Sequence, residues 1–432
     1  MPTWKNWSGY QECQPAAVES PTTDSELAEV VKVAERMGQT VKVIGAGHSF
    51  TDIACTNGRM VQLDHYNRVL EADRESGLVT VEAGITIAQL NERLAEEGLA
   101  MPNLGDIAYQ TIAGAISTAT HGTGTKLGNI STQVVGLEII AGDGSVVTCS
   151  ADEEPEVFQA ARVSLGALGI LSKVTLQCVP AFNLYALEEP GKLDDLLVDL
   201  NTLADDNDHF EFFWFPHTEW CIVKKNNRTD DPPRPRSSWK AFRDDIILSN
   251  VVYDVISRIG RRFPERIPQL ANYVAGQLGR VRKTERSDKV FASPRIVRFN
   301  EMEYAIPRAE VAGALRALRE AIDERFLVNF PVEVRFVAAD DIFLSPSTGR
   351  ETGYIAVHLY KGMEFEPYFR AVEDIMRERG GRPHWGKLHF RTAADLAPAY
   401  PDWDRFAAVR RRLDPQGRFV NAYTDRVLGP VG

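Results

Sequence analysis

The chain has few cysteines, and their spacing excludes the usual cysteine-based sites. Only five of its 432 residues are cysteine, and no two of them form a CxxC pair or another spacing typical of zinc ligands. We therefore expect reduced, buried thiols and no metal site.

The sequence also lacks a long apolar run and an excess of positive charge. No stretch approaches the roughly 18 consecutive apolar residues of a membrane-spanning helix, and the opening MPTWKNWSGY has no apolar run behind a basic start. A formal net charge of -11 disfavours nucleic acid as a partner. These absences predict a cytoplasmic protein with no transmembrane segment and no nucleic-acid partner, whereas peripheral attachment to a membrane stays open.

Length and composition indicate a folded protein of two domains. Hydrophobic residues make up 44% of the chain and charged residues 25%, which is ordinary for a soluble globular protein. The chain is too long for one ordinary domain. Because its character changes near position 180, we place one domain at residues 1–180 and a second at 181–385. The last segment, 386–432, is expected to return to the first domain.

The first part of the chain alternates between helix and strand patterns. Thr23 can cap a helix that ends at Gly38, and the run VKVIGAG at 41–47 predicts a strand that leads into a glycine turn. Residues 134–149 predict a hairpin that turns at 142–144. This order indicates a small α/β unit at the start.

Beyond position 180 the patterns favour an antiparallel sheet. HFEFFWFP at 209–216 looks like a strand with one buried aromatic face, whereas DDPPRPRSS at 230–238 is too rich in proline for a regular element. In FPVEVRF, Glu333 and Arg335 stand two apart on a predicted strand, so both side chains point to one face. A solvated charge pair is the alternative reading of that pattern.

Three segments rich in small residues could hold a phosphate-bearing ligand. The turn at 45–50 offers several backbone N–H groups, as a pyrophosphate requires. A nicotinamide-type turn needs a third small residue where Phe50 stands, which makes that alternative weak. The segments 111–124 and 164–170 are equally compatible with tightly packed backbone crossings.

Five motifs together resemble a known enzyme superfamily. They are GHSFTDIA at 47–54, THGTG at 120–124, SLGALGI at 164–170, EVR at 333–335 and HWGK at 384–387. In this order they resemble the vanillyl-alcohol oxidase superfamily of FAD enzymes, in particular the aldonolactone oxidoreductases, which include gulonolactone and arabinonolactone oxidases and dehydrogenases. The chain is also similar to alditol oxidase.

The resemblance implies an α+β fold of two domains, a PCMH-type FAD-binding domain and a substrate (cap) domain built on an antiparallel sheet. The flavin is expected between them. His48 matches the histidine that bonds to the flavin 8α-methyl carbon, which requires a neutral imidazole as nucleophile. The cofactor-binding residues implied are Ile44, Gly45, Ala46, Gly47, His48, Ser49, Phe50, Gly105, Asp106, Thr111, Gly114, Thr118, His121 and Ile170.

The resemblance also implies the catalytic and substrate-binding residues. Glu333 and Arg335 are expected over the flavin, where the arginine suits a lactone oxygen by forked donation. Lys387 is expected near the flavin N1, although an exposed lysine at a domain edge is the alternative. His358 either lines the substrate pocket or is a satisfied core histidine. No histidine stands out as the catalytic base.

The implied activity is FAD-dependent oxidation of an aldono-1,4-lactone, L-gulono-1,4-lactone or D-arabinono-1,4-lactone, at the C2 hydroxyl. The 2-keto lactone would enolise to ascorbate or a five-carbon analogue, and the electrons would pass to dioxygen or an electron carrier. Gly105 favours oxygen access. Oxidation of an alditol such as xylitol or sorbitol is the alternative, but Asp106 departs from the serine of that pattern. A nicotinamide dehydrogenase and a catalytically silent binding protein are more remote alternatives.

Overall fold

The structure is a computed structural model that describes residues 3–234, 253–292 and 297–431. No helix in these ranges combines the length and the apolar character needed to cross a bilayer.

The strands, in chain order, are β1 Trp4–Lys5, β2 Glu12–Cys13, β3 Ala17–Glu19, β4 Val41–Ile44, β5 Arg59–Gln62, β6 Val69–Ala72, β7 Leu78–Glu82, β8 Leu99–Ala100, β9 Val134–Ile140, β10 Val146–Ser150, β11 Ile170–Gln177, β12 Val179–Pro180, β13 Asn183–Lys192, β14 His209–Trp214, β15 Trp220–Thr229, β16 Val281–Arg286, β17 Phe299–Pro307, β18 Val332–Val337, β19 Thr352–Tyr360 and β20 Arg382–Pro383.

The α-helices of the described residues are α1 Asp24–Arg36, α2 Ile87–Glu96, α3 Ile112–Ser117, α4 Pro155–Ala161, α5 Leu193–Val198, α6 Leu200–Asp205, α7 Tyr253–Arg262, α8 Ile267–Ala275, α9 Ser287–Phe291, α10 Val311–Arg325, α11 Glu366–Arg377, α12 Ala393–Leu396, α13 Trp403–Leu413 and α14 Ala422–Leu428.

Two larger sheets and two two-stranded sheets, β1-β2 and β12-β8, form the first part of the molecule among the described residues. Strands β3, β5 and β4 make a parallel sheet, and the antiparallel strands of a second sheet follow the order β10-β9-β11-β7-β6. Thr23 caps α1, because its side chain accepts a hydrogen bond from the backbone of Glu26. The predicted hairpin is confirmed, since β9 and β10 pair in antiparallel register with Ile140 opposite Val146.

The second part is built on one antiparallel sheet of eight strands, in the order β16-β13-β15-β14-β18-β19-β17-β20. Strand β18, which carries Glu333 and Arg335, lies near its centre, between β14 and β19. The predicted strand at 209–216 exists, but the prediction of a single buried face was wrong. All six residues of β14 are buried, because a central strand of this sheet is covered on both sides. The predicted loop at 230–238 lies partly outside the described residues.

The apolar core consists of two clusters. One cluster contains buried residues from 27–178 together with 342–344, Trp385 and 396–427. The other is built mainly from 193–223 and 297–388, and it includes Phe50 from the glycine turn. The C-terminal segment thus packs with the first part of the chain. The domain boundaries at 180 and 385 stay a prediction.

Asn421 ties the C-terminal segment to the loop that follows the glycine turn. Its side-chain oxygen caps α14 by accepting from the Thr424 backbone at 3.0 Å. Its side-chain nitrogen donates to the carbonyl oxygens of Asp52, Ile53 and Cys55 at 2.9 to 3.0 Å. One amide therefore fixes both a helix end and the position of residues 52–55.

Asn421→Ala is expected to lower the free energy of unfolding by about 1 to 3 kcal/mol, because a lost helix cap and lost hydrogen bonds cost about 1 kcal/mol each. Urea unfolding followed by tryptophan fluorescence measures this change. Asn57 is exposed, so Asn57→Ala is the matched control and should change stability by less than about 0.5 kcal/mol. Equal stability of the two variants contradicts the role assigned to Asn421.

Candidate functional site

The glycine turn between β4 and residue 50 is held against the N-terminal end of α3. A Cβ atom at Gly45 would lie 2.4 Å from the Thr111 hydroxyl oxygen, so only glycine fits there. Gly47 has a φ of +68°, a conformation that favours glycine. Thr111 caps α3 by accepting from the backbone of Gly114. The turn and the helix end therefore form one wall of small residues.

This wall lines the first of two cavities that meet at His48. The first cavity runs past Gly114 and Gly166, and the second runs towards the eight-stranded sheet. The empty space that they bound, open solvent included, is about 910 and 740 Å³. Both cavities are lined by the same four residues at their junction, His48, Ser49, Gln110 and Thr118.

The imidazole of His48 is neutral and has an unused ring nitrogen. Its Nδ1 atom is buried and has no hydrogen-bond partner among the described residues. Burial, and then the positive charge of Lys387, lower the pKa of His48 to about 4. At neutral pH the ring is therefore an uncharged group with a lone pair inside the site, which is the protonation state that nucleophilic attack requires.

Arg335 is the centre of a buried ion-pair cluster in the wall of the second cavity. Its Nη2 atom pairs with Glu333, its neighbour on β18, and with Asp106 in the loop after β8. Its Nε atom donates to Glu211 on β14 at 2.8 Å. Burial alone lowers the pKa of a guanidinium, but these carboxylates outweigh it and hold the pKa of Arg335 well above its usual value.

Lys387 and His358 share one carboxylate that the sequence did not point out. Glu301 on β17 lies 2.5 Å from the Lys387 ammonium and 3.4 Å from Nε2 of His358. Burial raises the pKa of Glu301, but Lys387 and His358 reverse that effect and lower it to about 2. The carboxylate is ionised and fixes the charge of Lys387 at the cavity, 5.1 Å from the centre of the Phe50 ring.

A second carboxylate on the same strand holds His121. Glu303 lies 3.2 Å from Nε2 of His121, whose Nδ1 contacts the Gly122 carbonyl oxygen at 2.9 Å. His384 completes a group whose polar atoms lie within 4.8 Å of one another. Nδ1 of His384 accepts from the Gly386 N–H at 3.1 Å, and burial lowers the pKa of the ring to about 3. The neutral ring therefore carries its proton on Nε2, which disfavours binding of a metal ion through that atom.

Most of the predicted site residues line one of the two cavities. Those in the wall of the first cavity are Gly45, Ala46, Gly47, His48, Ser49, Thr111, Gly114 and Thr118. Those in the wall of the second, besides the shared ones, are Phe50, Gly105, Asp106, His121, Glu333, Arg335, His358 and Lys387. Ile44 and Ile170 line neither cavity, and both are buried in strands.

Lys42 at the base of the first cavity was missed by the sequence analysis. Its ammonium donates to the carbonyl oxygens of Gly166 and Phe419 at 3.2 and 3.0 Å. Burial, followed by the charge of Arg410, lowers the pKa of Lys42 to about 7. In the strand run VKVIGAG, Lys42 lies next to a valine, which is the pattern of a strand lysine that faces solvent. No local signal therefore marks it as buried.

Both parts of the chain match known protein families. A family model described as D-arabinono-1,4-lactone oxidase matches residues 174–427, and one described as FAD binding domain matches residues 15–150. An L-gulono-1,4-lactone dehydrogenase of Mycobacterium tuberculosis is 47% identical over 430 residues, covering 99% of this chain and 100% of the relative. An L-gulonolactone oxidase of Bos taurus is 37% identical and covers 98% of each chain.

The fold resembles that of a solved oxidase. The crystal structure of a cholesterol oxidase from B. sterolicum matches with a TM-score of 0.82 at 18% identity, over 99% of this chain and 96% of the other. At this identity the match bears on the fold alone. Together with the FAD-binding family match, it confirms the predicted α+β fold of two domains with an antiparallel sheet.

Arg335→Met is expected to destabilise the protein by about 3 to 5 kcal/mol at pH 7, because it removes the cation that two buried carboxylates, Glu211 and Glu333, share with the part-buried Asp106. Buried carboxylates without that cation have raised pKa values, so protonation relieves them and the deficit should shrink as the pH falls towards 5. Urea unfolding at several pH values measures both effects.

The matched control for that variant is Arg319→Met on α10. Arg319 forms an exposed ion pair with Asp194, and loss of such a pair costs no more than about 1 kcal/mol. A deficit for Arg335→Met that does not change with pH contradicts the carboxylate explanation.

Proposed function

The chain belongs to the aldonolactone oxidase family of flavin-dependent oxidoreductases, and on that premise we propose that it oxidises an aldono-1,4-lactone at the C2 hydroxyl. The substrates proposed are L-gulono-1,4-lactone and D-arabinono-1,4-lactone, the two lactones named in its relatives. The observation that carries the proposal is the junction at His48, where the small-residue cavity meets the cavity that contains Arg335 and Lys387.

The first cavity has the properties that FAD requires. Its wall of glycine, alanine and serine in the turn allows close approach of a pyrophosphate to the backbone. The Nδ1 atom of His48, which has no hydrogen-bond partner in the part of the chain that the structure describes, supports covalent attachment of the flavin at this residue. When bound, FAD supplies the acceptor for the two electrons of the substrate C–H bond.

The second cavity fits a sugar lactone. The guanidinium of Arg335 offers forked N–H donors to a lactone oxygen, and Glu333 next to it can accept a hydrogen bond from the C2 hydroxyl and draw its proton. Lys387, paired with Glu301 at 2.5 Å, contributes a positive charge in a fixed position where negative charge develops during the reaction. His358 is oriented by the carbonyl oxygen of Pro331 at 3.0 Å and stays a proposed substrate contact.

The product and its fate follow from the chemistry of the substrate. Oxidation next to the lactone carbonyl gives a 2-keto lactone, which enolises to ascorbate or a five-carbon analogue. Alditol oxidation is not favoured, because the relatives act on lactones by name and Asp106 is committed to the Arg335 cluster. The cytoplasmic location stays a prediction that depends on the sequence alone.

We expect the purified protein to be yellow and to lose its visible flavin absorption when L-gulono-1,4-lactone or D-arabinono-1,4-lactone is added without oxygen. Acid precipitation should leave the colour in the pellet of the native protein and release it from His48→Ala, since that variant has no attachment point. Bleaching by xylitol or sorbitol but by neither lactone contradicts the proposed substrate. A colourless protein contradicts the proposed cofactor.

The proposed acceptor is dioxygen or an electron carrier, and Gly105 favours dioxygen. A Cβ atom at position 105 would lie 3.1 Å from the His121 carbonyl oxygen and 3.3 Å from the Thr120 methyl group. These contacts are tight, so an alanine there would add a methyl group to the wall of the second cavity and would require shifts of a few tenths of an ångström in its neighbours.

Gly105→Ala is therefore expected to slow reoxidation by dioxygen at least tenfold while anaerobic reduction by the lactone changes less than threefold. Stopped-flow absorbance of the two half-reactions measures this split. Gly313→Ala is the matched control, because a Cβ there meets no atom of the described residues within 4 Å, and it should change neither rate. An equal effect of Gly105→Ala on both half-reactions contradicts the assignment.

A further inference from the structure

The N-terminal hairpin, residues 4–13, lies across the glycine turn; we call it the N-terminal strap. Trp7 donates from its backbone to the Gly47 carbonyl oxygen at 2.8 Å, and the Asn6 side chain donates to the Ser49 carbonyl oxygen at 3.0 Å. The two bonds flank His48 in sequence. The strap is thus anchored on either side of the proposed attachment residue.

Asn6 also builds the turn of the strap itself. Its side-chain oxygen accepts from the backbone of Tyr10 and Gln11, each at 3.1 Å, and from the Ser8 hydroxyl at 3.2 Å. Only 4% of Asn6 is exposed. The strap is therefore a formed element whose turn and anchor share one buried amide.

The indole of Trp7 contacts the ring of His48. The two ring centres are 5.6 Å apart with planes inclined by 27°, within the range of favourable aromatic pairs. The same indole contacts Phe50 at 6.1 Å and Phe299 on β17 at 5.5 Å, both edge to face. Trp7 is therefore fixed from the turn and from the eight-stranded sheet at once.

Packing, and not a hydrogen bond at Nδ1, orients the His48 imidazole. That nitrogen has no partner among the described residues, whereas Trp7 and Tyr109 both place rings beside it, the latter at 6.4 Å with planes inclined by 13°. Because 57% of Tyr109 is exposed, the part-buried, fixed indole is the stronger constraint. The described residues thus place no hydrogen-bond donor at Nδ1, and the packed rings hold the imidazole in one orientation.

We propose that the N-terminal strap positions His48 for covalent flavin attachment through the ring of Trp7. Trp7 is then a positioning residue, since it acts through the imidazole. The inference rests on the attachment at His48 proposed above and adds the element that makes attachment efficient.

Attachment is an oxidation, and its atoms balance with dioxygen as the oxidant. A bond forms between the His48 ring nitrogen and the 8α carbon, and one C–H bond of the methyl group breaks. One proton leaves from that carbon and one from the imidazole, and the two electrons of the broken bond reach dioxygen, which becomes hydrogen peroxide. The contribution of Trp7 is to the geometry of bond formation and not to this electron balance.

The test compares Trp7→Leu with Trp7→Phe and with native protein. Each is produced in cells starved of riboflavin, so that it is obtained before flavin is attached, and is then loaded with FAD in air. Samples are precipitated with acid at intervals to separate attached from released flavin. Trp7→Leu should bind FAD within threefold of the native affinity but attach it at least tenfold more slowly, whereas Trp7→Phe, which keeps a ring, should stay within threefold. Trp220→Leu on β15, away from both cavities, is the control and should attach at the native rate.

Each outcome decides the inference. Attachment by Trp7→Leu at the native rate overturns it, as does equal slowing by Trp7→Leu and Trp7→Phe. Native protein that binds FAD without attaching it also overturns it, but anaerobic bleaching of that protein by the lactone leaves the proposed oxidation intact. If Trp7→Leu does not fold, Trp7→Met, which keeps a long apolar side chain, replaces it with the same expectation.

Discussion

The buried guanidinium of Arg335 joins the two parts of the molecule at the candidate site. Its partners are Glu333 and Glu211 from the eight-stranded sheet and Asp106 from the loop after β8. A charge removed from water in this way is tolerated only when it is paired. The loop beside the proposed flavin therefore cannot move relative to the sheet that lines the second cavity unless a buried ion pair is broken, which gives that cavity a fixed shape.

The other charged groups of the second cavity are also held by oppositely charged or hydrogen-bonding partners. Glu301 is ionised because Lys387 and His358 outweigh the effect of its burial, and Glu303 is ionised because His121 does the same, with a pKa well below the usual value. Each carboxylate fixes a cation or an imidazole at a set distance. Groups held in this way need little rearrangement when charge develops on a substrate, which is the property that electrostatic catalysis requires.

Sequence reasoning found the elements that local pattern determines. The glycine turn, the cap at Thr23 and the strand that places Glu333 and Arg335 on one face all depend on neighbouring residues. Glu301 and Glu303 alternate along β17 in the same way, but only the pairing of β17 with β19 and β20 shows that their face meets the cavity.

Contacts between distant residues explain what the sequence analysis missed. Lys42 is buried where a carbonyl oxygen 377 positions away accepts a hydrogen bond from its ammonium. The N-terminal strap is too short to show a helix or strand period, and the contacts that hold it against the turn reach the distant residues Gly47, Ser49 and Phe299. The two-sided burial of β14 likewise depends on what covers the sheet.

The central claim is that the two cavities meeting at His48 hold the flavin and the lactone. A crystal structure of the anaerobically reduced enzyme with an aldono-1,4-lactone tests it most directly. We predict electron density continuous from a His48 ring nitrogen to a flavin in the first cavity, and a lactone in the second with an oxygen within 3.2 Å of the Arg335 guanidinium. A lactone bound away from Arg335, or a flavin outside the first cavity, contradicts the claim.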